Sequence, residues 1–209
     1  MAVAVHAVRR GTEELSLSRE AAAAVCGLGT IGMMVLMLLI GAGYKRVFVI
    51  GNKDGQRIRA VTAGLCPECF CDIREADPVE WLRERTDGID LYFESVGKNA
   101  SISLGIDVAA PGGRIVAVGN PYTDMTFQRN TWCRILRNQL TVIGTWNSSF
   151  DGTDRDNWHR ATECLRNGCV PLKTLITHRL PLEKAKEGFR IMRERKEDHG
   201  KVLLVGNDP

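Results

Sequence analysis

Residues 21–43, AAAAVCGLGTIGMMVLMLLIGAG, carry no charge, and no other feature constrains the fold as strongly. The run is long enough to cross a bilayer as one helix. Its glycines argue for something else. Gly27, Gly29 and Gly32 interrupt it near its start, and each costs a helix roughly 1 kcal/mol relative to Ala. The same spacing suits a short strand, a tight turn and a buried helix joined end to end. A membrane-anchored chain is the alternative; the soluble reading is preferred because the rest of the sequence alternates strand-like and helix-like segments.

That alternation can be followed residue by residue. Helix is predicted at 30–41 and strand at KRVFVIG, ending at Gly51. Helices follow at 54–64 and through WLRERTDG, then a strand at IDLYFES, 89–95. NASISLGIDVAA reads as a helix ending at the turn PGG, 111–113, and RIVAVGN as an apolar strand. A helix at TWCRILRNQ, a strand at LTVIGTW (140–146) and a polar loop at NSSFDGTDRD come next, with Asp154 or Asp156 capping the helix after the loop. The tail gives strand LITHRL, helix PLEKAKEGFRIMRER and strand KVLLVG. Strands and helices in this order imply an α/β fold, a doubly wound parallel sheet with helices on both faces.

Of the 209 residues 44% are apolar, enough for a buried core, and the net charge of +3 is spread among interleaved acidic and basic residues. This gives no support to a nucleic-acid surface. Seven cysteines form an odd set that fits reduced thiols in a cytoplasm better than a secreted disulfide framework. No targeting segment is read, since Arg9 and Arg10 follow the first apolar residues rather than precede them.

Gly27-Leu28-Gly29-Thr30-Ile31-Gly32 matches G-x-G-x-x-G between a strand and a helix. Gly27 permits the turn, Gly29 lets backbone approach a pyrophosphate, and Gly32 lets helix and strand pack closely. Methyltransferases set similar glycines against an adenosyl group, so the motif alone leaves the ligand open. A carboxylate for the ribose 2′-hydroxyl is expected about 20 residues on. Gly51 stands there instead, followed by Asn52 and Lys53. Nothing at Gly51 repels a 2′-phosphate, and Lys53 and Arg57 are near enough in sequence to pair with one; NADP is therefore allowed beside NAD, while Asp54 is the alternative acid.

CGLGTIG, FESVGKNASISLGIDVAAPGGRIVAVGNP, LRNQLTVIGTWNSS and LITHRLPLEKAKEGFRIM, in this order, resemble the cofactor-binding half of zinc-containing medium-chain alcohol dehydrogenases, and within them the sorbitol and galactitol-1-phosphate dehydrogenase branch. The resemblance implies a Rossmann domain at 21–170, preceded by a connecting helix and linker at 1–20 and followed by a segment at 171–209 that packs on the domain or on a catalytic domain. It implies that Thr30 and Ile31 meet the pyrophosphate and that Gly51 takes the adenosine-ribose position. Ser95 and Val96 would border the cofactor, Val118, Gly119 and Asn120 the nicotinamide, and Lys201 the pyrophosphate. Trp146 and Asn147 would lie near nicotinamide and substrate. It further implies a homodimer formed through sheet edges.

Members of that family hold zinc through Cys, His and acidic ligands that lie ahead of the cofactor domain, and MAVAVHAVRRGTEEL resembles the helix that follows the last of them. Those ligands are not in this sequence, so zinc is expected for the family but not as bound by this chain, and no catalytic residue is assigned. Cys66, Cys69 and Cys71 in CPECFC look like half a zinc knuckle without its partner half, and His6, His159, His178 and His199 are scattered. Two functions follow as expectations: the NAD(P)-binding portion of a polyol or sugar-alcohol dehydrogenase, inactive alone, or a non-catalytic nucleotide-binding or dimerisation module.

Overall fold

The computed structural model describes residues 1–12, 17–194 and 196–206. Its centre is a sheet of β1 (Ala22–Cys26), β2 (Arg46–Gly51), β3 (Phe70–Asp72), β4 (Ile89–Glu94), β5 (Ala109–Ala117) and β6 (Thr141–Gly144). All pairs are parallel and the spatial order is β3-β2-β1-β4-β5-β6. The order reverses between β1 and β4, the place where doubly wound sheets open a crevice.

Both faces of the sheet are covered, which explains why the central strands read as unbroken apolar runs. Ala23, Val25, Val49, Leu91 and Phe93 face one core layer, under α1 (Ala2–Thr12) and α2 (Thr30–Gly41). Ala24, Cys26, Ile50 and Tyr92 face the other, under α4 (Pro78–Arg83) and α5 (Asn99–Val108). α3 (Asp54–Thr62), α6 (Arg129–Arg137) and α7 (Asn157–Arg166) complete the flanking helices. Met33, Val35, Leu36, Met37 and Leu39 of α2 are all buried, and each large apolar side chain so removed from water stabilises the fold by about 1.5–3 kcal/mol. Among the described residues no helix is long and apolar enough to cross a membrane; the uncharged run is split into β1, the glycine turn and α2.

The structure departs from the sequence reading at four places. The short strand β3 inside CPECFC was not foreseen, and it pairs with β2 from Val49↔Phe70 to Gly51↔Asp72. The helix expected through Ala110 stops at Val108, and β5 begins at Ala109. The PGG turn lies inside that strand as a bulge: Ile89 pairs with Ala109 and Leu91 with Arg114, while Gly112 takes φ +75° and donates its N–H to the Asn138 carbonyl at 2.7 Å. The helix expected at 81–88 is α4, which starts earlier at Pro78, behind an Asp77 cap, and ends at Arg83.

The tail forms a separate two-stranded parallel sheet of β7 (Ile176–Pro181) and β8 (Lys201–Val205), with α8 (Ala185–Glu194) against it. The end of its expected helix at Arg195 lies outside the described residues, as does the linker at 13–16. Asp156 caps α7 by accepting from the Trp158 and His159 amides, each at 2.8 Å.

Candidate dinucleotide-binding cleft

The carboxyl ends of β1, β2 and β4 open into a cleft of about 640 Å³. The glycine loop forms its floor. Gly27, at φ +89°, leaves β1 with its N–H donated to the Ile50 carbonyl at 3.0 Å. A β-carbon there would stand 2.5 Å from Val96 Cγ2, so a side chain is excluded by both backbone and neighbour. Gly32 is pressed against the Gly27 carbonyl. At Gly29 a β-carbon would meet nothing within 4 Å, because that face looks into open space.

Gly29 precedes α2 without any side-chain cap. The first helical hydrogen bond runs from Met33 N–H to the Gly29 carbonyl, and the Thr30, Ile31 and Gly32 amides have no acceptor among the described residues. Unpaired amides at the positive end of a helix are an anion site. Ser95 stands beside them just beyond β4, its Oγ buried and without a hydrogen-bond partner among the described residues. Ser95 and Val96 line both this cleft and a second of about 320 Å³ formed with Ile31, Val118, Gly119 and Asn120.

The turn after β4 is fixed by the buried carboxylate of Glu94. Its Oε1 accepts from Val96 N–H at 2.7 Å, Gly97 N–H at 2.8 Å and Ser101 Oγ at 2.7 Å. Sequence reading passed over Glu94 because it lies within a strand; a carboxylate amid FESVG, one residue before the cofactor border, was the available signal.

At the other end of the cleft, Gly51, Asn52 and Lys53 line the wall. A β-carbon on Gly51 would lie 2.7 Å from Phe70 Cζ and 3.0 Å from Gln56 Oε1, and Gln56 Oε1 accepts the Asn52 N–H at 3.1 Å. The nearest acids are engaged. Arg74 holds Asp72 through Nε at 2.9 Å and also pairs with Asp54, and hydrogen bonding from Arg74 keeps the Asp72 carboxyl below the usual range. The alternative acid, Asp54, is thus tied to an arginine. Ile73, Val79 and Leu104 supply an apolar wall that was invisible in the sequence because β3 was.

Three expected site residues stand apart. Trp146 is 72% exposed just beyond β6 and lines neither cleft, and neither does Asn147, which follows it at φ +51°. Lys201 begins β8 in the small sheet, where its charge lowers the pKa of the Met1 amino group after burial has done so more strongly.

Residues 30–167 match the pattern of the zinc-binding dehydrogenases. The chain belongs to that family. An L-threonine 3-dehydrogenase of Bacillus velezensis is 33% identical over 205 residues, which are 97% of this chain and 55% of the relative. Galactitol-1-phosphate dehydrogenase from Escherichia coli superposes with TM-score 0.83 at 25% identity, over 98% of this chain and 57% of that one. A zinc-binding dehydrogenase of Sinorhizobium meliloti, bound to NADP, shares the fold with TM-score 0.78 at 19% identity, over 98% and 56%. The chain thus spans about half the length of the dehydrogenases it matches. Zinc is a different matter: among the described residues no three His, Cys, Asp or Glu side chains are grouped to hold a metal ion, so the described residues offer no site for it.

Proposed function

We propose that this chain is the NAD(P)-binding portion of a dehydrogenase that moves hydride between a secondary alcohol, a polyol or sugar-alcohol phosphate, and nicotinamide. The observation that carries it is the group of unpaired amides at Thr30, Ile31 and Gly32 under the open face of Gly29, with the partnerless Ser95 Oγ beside them. The pyrophosphate would sit on those amides, with the adenosine against Ile73, Val79 and Leu104 and the nicotinamide in the cleft of Val118, Gly119 and Asn120. The bound nicotinamide would supply the hydride acceptor.

This chain's own residues position and shield. Glu94 fixes the Ser95–Gly97 turn, and the Ser95 hydroxyl gains a partner when the ligand arrives. Gly51 admits a 2′-phosphate, for which Lys53 is on the cleft wall and Arg57 lies over the Phe70 ring at 5.8 Å; NADP is therefore accepted along with NAD. No step is assigned to a metal, since the donor set is missing among the described residues. Alone, the chain binds cofactor without oxidising alcohol.

Titration with NADH and NADPH, followed by energy transfer from tryptophan to the reduced nicotinamide, tests the reading. Saturable binding of at least one is expected; no binding of either at millimolar concentration overturns it. The second reading, an assembly module, is favoured by the edge strand β6, which pairs with β5 on one side only and leaves Val142 47% exposed.

A further inference from the structure

α7 ends in a hydrogen-bonded reversal. Gly168 N–H donates to the Leu165 carbonyl at 3.2 Å and Cys169 N–H to the Cys164 carbonyl at 3.1 Å, while Gly168 holds φ +65°. This pair of bonds around a left-handed glycine is the Schellman helix stop, and it brings together the side chains at the two ends of the longer bond. Apolar residues normally fill those two positions. Here both are cysteines; burial first, and then the neighbouring Cys169, raise the pKa of the Cys164 thiol. Cys164 is half-buried and packs on the core layer beneath α2, whereas Cys169 is exposed.

We propose that Cys164 and Cys169 are a redox-modification site, closing to an intrachain disulfide on reaction with a small-molecule disulfide of the glutathione class. The exposed Cys169 thiolate attacks one sulfur of that disulfide, forming a mixed disulfide and expelling one thiolate. The Cys164 thiol then loses its proton and attacks the Cys169 sulfur, expelling the second. Two cysteine thiols are oxidised by two electrons, the small disulfide is reduced to two thiols, and the cysteine protons end on those leaving thiols. Burial pushes the Cys164 thiol up to about 11, which lowers its thiolate fraction and slows the second attack.

The other close pair, Cys66 and Cys69, is less suited. The Glu68 carboxylate beside Cys66 raises the pKa of its thiol, which leaves less thiolate to react. A Cys164–Cys169 bond would fix the end of α7 where the chain turns toward Val170, with the Cys169 carbonyl close against Gly41 at the far end of α2. The dinucleotide cleft, at the opposite end of α2, is left unchanged.

The full chain is incubated with oxidised glutathione, its free thiols are blocked with N-ethylmaleimide, and it is digested with trypsin. Cleavage after Arg166 separates ATECLR from NGCVPLK, while Cys66, Cys69 and Cys71 share the peptide 60–74. The expected product is ATECLR joined to NGCVPLK, two hydrogens lighter than the sum and released by dithiothreitol; the exposed-site variant Cys169→Ser, with unchanged circular dichroism, yields none. Recovery of the two peptides singly from folded protein, whether alkylated or as glutathione adducts, overturns the proposal, as does a crosslink of either to peptide 60–74.

Discussion

The carbonyl oxygen of Gly27 lies 1.9 Å from the point where a β-carbon on Gly32 would stand. Strand end and helix start are therefore in direct backbone contact, and Gly32→Ala must push them apart. A loss of about 1–3 kcal/mol is expected from such overpacking, read as a lower thermal midpoint, together with loss of NAD(P)H energy transfer. Gly29→Ala separates the two effects. With open space at that position, the variant should melt as the parent does while binding the reduced dinucleotide at least tenfold more weakly; equal binding would show that no phosphate approaches there.

Lys53 and Gly51 share the cleft wall beyond β2, where the adenosine is proposed to lie. Lys53→Ala is expected to raise the dissociation constant for NADPH about tenfold, or ~1.4 kcal/mol, and to leave that for NADH unchanged. A matched loss for both cofactors would remove the 2′-phosphate assignment.

Asp156 is 1% exposed. Burial opposes its ionisation, but hydrogen bonds from His159, Trp158 and Gly152 prevail and hold the carboxyl down to about 2. Because this lies below the value in an unfolded chain, about 3.9, the native state binds fewer protons than the unfolded state in that interval. The stabilisation is complete above about pH 4 and is lost as pH falls toward 2. Asp156→Ala should melt several degrees lower at neutral pH and show a flatter decline between those limits by thermal scans.

Sedimentation of the parent chain is expected to give a dimer joined through β6. Val142→Lys, placing a charge on the exposed edge, should shift it toward monomer. A parent that sediments as a clean monomer would rule out assembly through that edge.

Long buried elements were legible because their signals are strong. Unbroken apolar runs gave β1, β2 and β4, and three glycines at one spacing located the cleft floor. β3 was hidden because it has three residues, FCD, and lies in a cysteine-rich stretch read as half a zinc knuckle without its partner half. PGG marked a break in the regular ladder rather than a turn between elements, since parallel pairing resumes at Arg114; local turn chemistry cannot tell a strand boundary from an interruption. Lys201 and Trp146 show a similar limit. Their positions depend on how the tail and β6 pack, which residue order does not encode locally.

The burial of Met33, Val35, Leu36, Met37 and Leu39 of α2 has a consequence for how the chain is made. The core layer around it draws on Phe93 and Val116 and is finished by Val170 and Leu175. During synthesis Met33, Leu36 and Leu39 leave the ribosome before Phe93, Val116, Val170 and Leu175, which complete the layer around them. Between those moments α2 presents uncovered apolar surface on the nascent chain, the kind of surface through which partly folded chains aggregate.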